Sequence, residues 1–308
     1  MDSFEGRLAV VTGGGTGMGR ELVIQLAAEG CSVATCDINA ENMDETAMRA
    51  GKEAPANVRV TTHLTDVSDE TQMMRFRDEV VDQHETDHVD LLFNNAGVGG
   101  GQSFLTGSRD SWDKTFAVCW GGVYNGMRAF ADLVIASDKG YIVNTSSVNG
   151  FWAALGPGIP HTAYSAAKFA VKGFTEALIE DFRVNAPHVR VAVVMPGHVG
   201  TDIVLNSREI LGVDIGEARS QLERRGLPTD GVSDDDIRNF MKMFGEMFRD
   251  NAPVTAEQAA TIILDGVRAG KWRILVGDDA RAIDEAVRAD PEGVYGEHGL
   301  SLDTIIGQ

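Results

Sequence analysis

The chain has 308 residues, of which 43% are hydrophobic, enough to bury a large core, and a formal net charge of −19 at pH 7. The acidic excess disfavours nucleic acids and anionic membranes as partners. No run is apolar enough to span a membrane, and the first residues lack the basic and apolar regions of a signal peptide. Three cysteines without metal-ligand spacing predict reduced thiols, a cytoplasmic location and no metal site.

The first forty residues have the order of a dinucleotide-binding unit. Residues 8–11 predict a buried parallel strand that runs into the glycine-rich segment 12–19, and helical spacing follows over 20–29. Glycines at this point permit a tight turn and let the backbone approach a pyrophosphate at the helix N-terminus. A second strand, 32–36, ends in Asp37, where a carboxylate suits the hydroxyls of an adenosine ribose.

Asp37 also indicates which nicotinamide cofactor the chain prefers. A carboxylate at this place repels the 2′-phosphate of NADP. No arginine or lysine that could neutralise that phosphate follows at Ile38 or Asn39. We therefore predict that the cofactor is NAD.

The remaining sequence alternates between strands and helices. Strands are predicted at 58–61, 90–93, 141–144, 189–194 and 273–276, with helices that include 69–81, 112–131 and 163–183. Right-handed crossovers then give an α/β fold, a doubly wound parallel Rossmann sheet of about seven strands with helices on both faces. Ligands bind at the carboxyl ends of such strands, where the strand order reverses. We expect residues 1–308 to form a single domain.

The segment 164–168 carries a catalytic pattern. Tyr164 and Lys168 are four residues apart, so they share one face of the predicted helix. A nearby cation favours the phenolate, and the pKa of Tyr164 is therefore expected to fall from about 10 toward neutrality. The pair alone also fits an exposed helix surface. Its combination with Ser147 and the nucleotide-binding start indicates proton exchange with an alcohol or ketone.

From about Gly6 to Gly277 the chain resembles the short-chain dehydrogenase/reductase family, of the classical type. Six motifs carry this resemblance in one order: the turn 12–19, the pair 66–67, the segment 94–97, Ser147, the pair Tyr164 and Lys168, and the loop 196–201. The family commonly forms dimers or tetramers, so the resemblance implies a homodimer or homotetramer.

The resemblance also implies the site residues. Ser147 holds the substrate oxygen, Tyr164 exchanges the proton, and Lys168 binds the nicotinamide ribose and keeps Tyr164 acidic. Ser146 is rejected because the family serine directly precedes the x-x-Gly found at 148–150. The implied cofactor-binding residues are Gly13, Thr16, Gly17, Met18, Gly19, Asp37, Ile38, Asp66, Val67, Asn95, Ala96, Gly97, Tyr164, Lys168, Pro196, Gly197, Val199 and Thr201.

Cys119 departs from the family pattern, which has at this place an asparagine that holds a proton-relay water. Trp112, Phe116, Cys119, Val123 and Met127 recur at helical spacing, which predicts a small buried side chain at Cys119 rather than a reactive thiol. A thiol hydrogen-bonds more weakly than an amide. This difference motivates an alternative, a catalytically impaired NAD-binding homologue that acts as a sensor or inactive subunit.

Two segments bear on the substrate. The interval between Ser147 and Tyr164 is longer than the family commonly shows, and its apolar, proline-containing part 151–161 is expected to wall an apolar pocket. Residues 202–253 correspond to the family's substrate lid and mix methionine and phenylalanine with charges. Ordinary packing is the alternative for both segments. They favour a lipophilic secondary alcohol or ketone as the small-molecule substrate.

The sequence thus predicts an NAD-dependent alcohol dehydrogenase or ketone reductase that works by hydride transfer, with Tyr164 as general acid and base. An isomerase or lyase is disfavoured because the chain lacks a T-G-x-x-G-x-x-G turn and a larger substrate domain. For His198, beside the loop glycine, contact with the cofactor or the substrate is one interpretation, and a surface position is the favoured one. The C-terminal extension 278–308, with a predicted helix at 280–288, either wraps a neighbouring subunit or is loose.

Overall fold

The computed structural model of the chain describes residues 1, 3–100, 103–213, 215–224 and 228–301. Within the predicted lid, 214 and 225–227 lie outside the described residues, as do 302–308 of the predicted extension.

A parallel sheet of seven strands forms the centre of the molecule, as predicted. In chain order its strands are β1 (Leu8–Thr12), β2 (Ser32–Asp37), β3 (Val60–Leu64), β4 (Leu91–Asn94), β5 (Tyr141–Thr145), β6 (Arg190–Pro196) and β9 (Arg273–Val276). They lie side by side in the order β3-β2-β1-β4-β5-β6-β9. The third strand begins two residues later than the sequence pattern predicts. β1 pairs with both β2 and β4, so the strand order reverses at β1.

Helices connect the strands and cover both faces of the sheet. They are α1 (Gly17–Ala28), α2 (Ala40–Glu53), α3 (Glu70–His84), α4 (Arg109–Phe116), α5 (Gly122–Ala136), α6 (Thr162–Asn185), α7 (Ile203–Leu211), α8 (Ile215–Arg224), α9 (Asp234–Asp250), α10 (Ala256–Arg268) and α11 (Asp278–Ala289). The predicted helix 112–131 is interrupted, because a π-helical turn at Ala117–Gly121 joins α4 to α5. None of the described helices is long and apolar enough to cross a membrane.

Alternate residues of the strands enter two separate cores. Ala9 and Val11 of β1 belong to the core that contains α1 and α10, whereas Leu8 and Val10 belong to the core that contains α3, α5 and α6. Successive strand residues point to opposite faces of a sheet. Burial on both faces explains why these strands appear in the sequence as continuous apolar runs.

A second, two-stranded sheet lies beside the main one and was not predicted. β7 (Val199–Gly200) pairs in parallel with β8 (Val254–Thr255). The chain leaves the sheet through β7, forms α7, α8 and α9, and returns through β8. The two ends of the predicted lid segment are thus tied together by backbone hydrogen bonds.

The described part of the C-terminal extension packs on its own chain. Trp152, from the long interval before α6, is fully buried with Ala280 and Ile283 of α11 and Val294 beyond it. The hydroxyl of Tyr295 accepts a hydrogen bond from the backbone N–H of Ala153 at 2.9 Å. These contacts tie α11 and the segment around Val294 and Tyr295 to their own chain, and contact with a neighbouring subunit stays a prediction.

Candidate active site

One large cavity opens at the carboxyl ends of the strands, with a volume of about 1660 Å³. It receives the loops after β1 and β4, the two strands at which the strand order reverses. All predicted site residues line it, namely Gly13, Thr16, Gly17, Met18, Gly19, Asp37, Ile38, Asp66, Val67, Asn95, Ala96, Gly97, Ser147, Tyr164, Lys168, Pro196, Gly197, Val199 and Thr201.

The glycine-rich turn forms a backbone cradle that side chains would fill. Gly13 has a φ of +69°, and a Cβ atom there would lie 2.7 Å from the Cα of Ala96. A side chain at Gly19, in the first turn of α1, would collide with the carbonyl oxygen of Gly13. Only glycine adopts these positions without strain or collision. The cradle at the N-terminus of α1 therefore fits a pyrophosphate group.

Thr12 joins the two loops at the point of reversal, a role that the sequence analysis did not assign. Its hydroxyl oxygen accepts hydrogen bonds from the backbone N–H groups of Asn95, at 3.0 Å, and Ala96, at 3.1 Å. The side-chain amide of Asn95 donates to the Thr12 carbonyl at 3.1 Å. The buried Asn95 Oδ1 has no hydrogen-bond partner among the described residues, which leaves one acceptor at the cavity wall.

Asp37 ends β2 inside the cavity, at the place predicted for a ribose-binding carboxylate. Its oxygens accept hydrogen bonds from the backbone N–H groups of Gly15, at 3.0 Å, and Asn39, at 3.1 Å. Burial raises the pKa of Asp37, and these backbone donors oppose that rise. The neighbouring Arg20 guanidinium is engaged by Glu45 at 3.1 Å and by the Gly15 carbonyl. The backbone donors hold the Asp37 carboxylate in place. The contacts of Arg20 with Glu45 and Gly15 leave its guanidinium already paired.

Ser147, Tyr164 and Lys168 are brought together at the carboxyl end of β5 and the start of α6. The Ser147 side chain lies beside the Tyr164 phenol, where it favours a lower pKa of that phenol. Lys168 donates from Nζ to the Thr145 carbonyl at 2.9 Å and lies 5.4 Å from the centre of the Tyr164 ring. The Ser146 hydroxyl donates to the Lys168 carbonyl at 2.7 Å, so it is engaged by the backbone of α6. The structure thus places Ser147, rather than Ser146, beside Tyr164.

The expected fall in the Tyr164 pKa is wrong for this arrangement. Burial raises the pKa of Tyr164 above its usual value, and it lowers the pKa of Lys168. Both shifts have the same cause, because removing a charged form from water costs more than the attraction between the two groups returns. The Lys168 ammonium is directed at the Thr145 carbonyl and lies 5.4 Å from the centre of the Tyr164 ring. At neutral pH the phenol is therefore protonated.

Cys119 lies behind the catalytic side chains, in the π-helical turn. It is fully buried, as predicted, and its thiol donates to the Val98 carbonyl at 3.1 Å. A Cβ atom built on Gly97 would lie 3.6 Å from Lys168 Nζ and 3.8 Å from Cys119 Sγ, so the thiol and the ammonium share one wall of the site. Single π-helical turns are often found at functional sites.

The predicted apolar wall is divided between two environments. The first part of 151–161 packs on α11 through Trp152, and the second part lines the cavity through Leu155, Ile159, Pro160 and His161. The imidazole of His161 stacks on the Tyr164 ring, with ring centres 4.7 Å apart and planes 20° apart. Sequence reasoning placed His161 in the wall and missed this contact, which no local pattern indicates.

The lid segment contributes an apolar face to the same cavity. Phe240, Met241, Phe244 and Met247 of α9 line it, and Met241 also packs against α8. The apolar residues of α9 therefore serve both as helix core and as part of the cavity wall.

His198 connects the loop after β6 to the lid and to the C-terminal helix. Its Nε2–H donates to the Phe248 carbonyl at 2.6 Å, and its backbone N–H donates to the Asp279 carboxylate at 2.6 Å. A Cβ atom on Gly197 would collide with the same carboxylate. The prediction that His198 is a surface residue is wrong, because these contacts bury it.

The sequence matches the short chain dehydrogenase family over residues 7–211. A Mycobacterium tuberculosis protein named as an oxidoreductase, SadH, is 32% identical over 288 residues, which cover 94% of this chain and 92% of that protein. Levodione reductase from Leifsonia aquatica is 31% identical over 211 residues, 68% of this chain and 75% of that protein.

Solved structures show the same relationship. A crystal structure of a short chain dehydrogenase/reductase from Burkholderia phymatum, in complex with NAD, superposes with a TM-score of 0.78 at 26% identity. The alignment covers 98% of this chain and 100% of that one. The family match extends over most of the chain, and the fold and the relatives agree with it. The chain therefore belongs to the short-chain dehydrogenase/reductase family of oxidoreductases.

Proposed function

We propose that the protein is an NAD-dependent oxidoreductase that interconverts a lipophilic secondary alcohol and its ketone. The observation that carries this proposal is the convergence of Ser147, Tyr164 and Lys168 in the cavity that also contains the glycine cradle and Asp37. When bound, NAD supplies the hydride acceptor for oxidation, and its reduced form supplies the hydride donor for reduction. The relative named levodione reductase and the neighbour in complex with NAD support both parts of the proposal.

The protein's own residues would handle the proton and the substrate oxygen. The phenol of Tyr164 donates a proton to the ketone oxygen during reduction and accepts it from the alcohol during oxidation. The Ser147 hydroxyl, which lies in the same cavity beside the phenol, holds that oxygen in line. The raised pKa of Tyr164 keeps the phenol protonated at neutral pH. This protonation state supplies the proton for one reduction, and the phenolate that remains takes up a proton from solvent before the next turnover.

The preference for NAD is proposed from the charges around Asp37. A half-buried carboxylate held by backbone donors cannot turn away from a 2′-phosphate, and Arg20 is engaged by Glu45. The combined substitution of Asp37→Ala and Ile38→Arg removes the repulsion and adds a bidentate phosphate ligand. We expect the ratio of kcat/KM for NADP to that for NAD to rise at least about 100-fold, as steady-state rates with each cofactor would show. Equal use of both cofactors by the unmodified protein would refute this argument.

The organisation of the chain is part of the proposal. We propose one Rossmann-type domain over 1–308, in which 202–253 forms a lid and 278–308 an extension. The apolar cavity face of α9 and the paired lid ends support the lid assignment. We further propose a cytoplasmic homodimer or homotetramer, in keeping with the family.

A screen of lipophilic secondary alcohols with NAD, and of the matching ketones with NADH, tests the proposed activity. Change in NADH absorbance reports hydride transfer directly. We expect turnover that rises with the apolar bulk of the substrate, because the cavity walls around Tyr164 are mainly apolar. An absence of turnover across bulky and small members of the panel would contradict the proposal.

A catalytically impaired homologue is the second candidate, and Cys119 motivates it. Its thiol is committed to the Val98 carbonyl at the place of the family's relay asparagine. The substitution Cys119→Asn separates the two candidates. A rise of about 100-fold in kcat would favour impairment, whereas an unchanged or lower kcat would favour an enzyme whose proton relay uses other groups.

A further inference from the structure

His161 occupies a position next to the reacting groups that the proposed mechanism does not use. It caps the N-terminus of α6, but its side chain makes no capping hydrogen bond to that helix. Instead the imidazole lies almost parallel to the Tyr164 ring and lines the cavity. Its position is therefore fixed by the same helix that positions the phenol.

The polar atoms of His161 are left unpaired. Nδ1 is buried without a hydrogen-bond partner, and no described residue hydrogen-bonds Nε2. Only 9% of the residue is exposed. Burial lowers its pKa to about 4, so the ring is neutral at pH 7 and offers one donor and one acceptor. Leaving such a group buried and unpaired costs free energy, which a ligand atom would recover.

His161 is a polar side chain in a part of the cavity wall that is otherwise mainly apolar. Leu155, Ile159 and Pro160 flank it on its own loop, and Phe244 and Met247 of the lid face the same cavity. Nearby polar side chains are already bonded. The Ser147 hydroxyl accepts a hydrogen bond from the backbone N–H of Asn149 at 3.1 Å, and the amide of Asn149 donates to two backbone carbonyls at 2.9 Å.

We propose that His161 is a specificity-determining residue that hydrogen-bonds a second oxygen of the substrate, close to the oxygen that reacts at Tyr164. The substrate class is then a lipophilic ketone or secondary alcohol that carries an additional hydroxyl or carbonyl group. This inference rests on the proposed function, since it describes the same cavity and the same reaction.

Matched pairs of small ketones test the inference. The 2-, 3- and 4-hydroxycyclohexanones are compared with the methylcyclohexanones substituted at the same ring carbon, because hydroxyl and methyl groups have similar size. We expect NADH-dependent kcat/KM for the hydroxy ketone to exceed that for its methyl partner by about threefold to tenfold at one ring position. The substitution His161→Phe keeps an aromatic ring against Tyr164 and removes both nitrogens, so it should abolish this preference. His161→Gln retains a donor and an acceptor and should restore part of it.

The control is His188→Leu, which removes a histidine outside the cavity and should leave the hydroxyl preference intact. Equal kcat/KM within all three pairs for the unmodified protein, or a preference that survives in His161→Phe, would overturn the inference while the proposed function stands.

Binding separates this inference from the proposed activity. Calorimetric titration of the same pairs into Tyr164→Phe, and into Tyr164→Phe combined with His161→Phe, requires no turnover. A hydroxyl preference present in the first protein and lost in the second supports the role of His161 even if no ketone is reduced, in which case the proposed function alone fails. Equal affinities within the pairs, or no binding of any pair, count against His161.

Discussion

Tyr164 shows most clearly what a local pattern predicts and what it leaves out. The spacing of four residues correctly places Tyr164 and Lys168 on one face of α6, and both side chains enter the cavity. The direction of the pKa shift depends on how deeply each group is buried, and burial is a property of the whole fold. Cys119, buried beside both groups, adds to the rise in the Tyr164 pKa.

A spectrophotometric titration of tyrosinate tests the raised pKa of Tyr164. The difference between the unmodified protein and Tyr164→Phe, measured without cofactor from about pH 6 to about pH 11, isolates this phenol. Because the folded protein holds the phenol neutral, we expect no tyrosinate in the difference below about pH 10. Tyr124→Phe, which removes a partly exposed phenol, is the control for the loss of one tyrosine. A titration step near pH 7 would contradict the raised pKa and support the fall in the Tyr164 pKa that the spacing of Tyr164 and Lys168 predicts.

Site residues that belong to a recognisable local sequence pattern could be predicted. Gly13 and Gly17 of the turn, the carboxylate at the end of β2 and the Tyr–Lys pair all have local signatures, and each lines the cavity. Thr12, His161 and Asp279 lack such signatures. Their roles come from contacts between residues that are far apart in the chain, such as the bond between His198 and Asp279.

At the scale of elements, the sequence predicts what is long and periodic. The seven main strands and the long helix α6 follow from apolar runs and helical spacing. β7 and β8 are only two residues long each, which is too short to leave a periodic pattern. The π-helical turn between α4 and α5 was missed for a different reason. The helical spacing of apolar residues continues on both sides of the turn, so the sequence predicts one uninterrupted helix.

The C-terminal helix α11 fixes the loop after β6 through Asp279. We expect Asp279→Ala to lower the free energy of unfolding by about 1–3 kcal/mol, because it leaves the backbone N–H of His198 buried without its acceptor. NAD affinity should fall as well, since Pro196 and Gly197 of this loop line the cavity. Denaturant unfolding and a calorimetric NAD titration measure the two effects.

Asp278→Ala is the matched control, because the neighbouring Asp278 side chain is exposed and lies 3.6 Å from Arg281 at the surface. It should change neither quantity appreciably. Equal effects of the two substitutions on stability and NAD affinity would show that Asp279 has no special role in the loop.

At the scale of the whole molecule, the strand order determines where the chemistry lies. Parallel strands bring the loops after β1, β4, β5 and β6 to one edge of the sheet, and each of these loops carries a motif found by sequence. The order itself follows from general rules for right-handed crossovers. The packing of the segment 151–161 on α11 could not be predicted, since it depends on contacts of Trp152 with residues far away in the chain.

The central claim is that Tyr164 transfers the proton in a site that binds NAD mainly through other residues. Single-turnover hydride transfer in Tyr164→Phe, measured by NADH absorbance after calorimetric confirmation of NAD binding, tests it most directly. The account predicts a rate at least about 100-fold below that of the unmodified protein, with NAD affinity changed less than about threefold. Hydride transfer at the unmodified rate in Tyr164→Phe would contradict it.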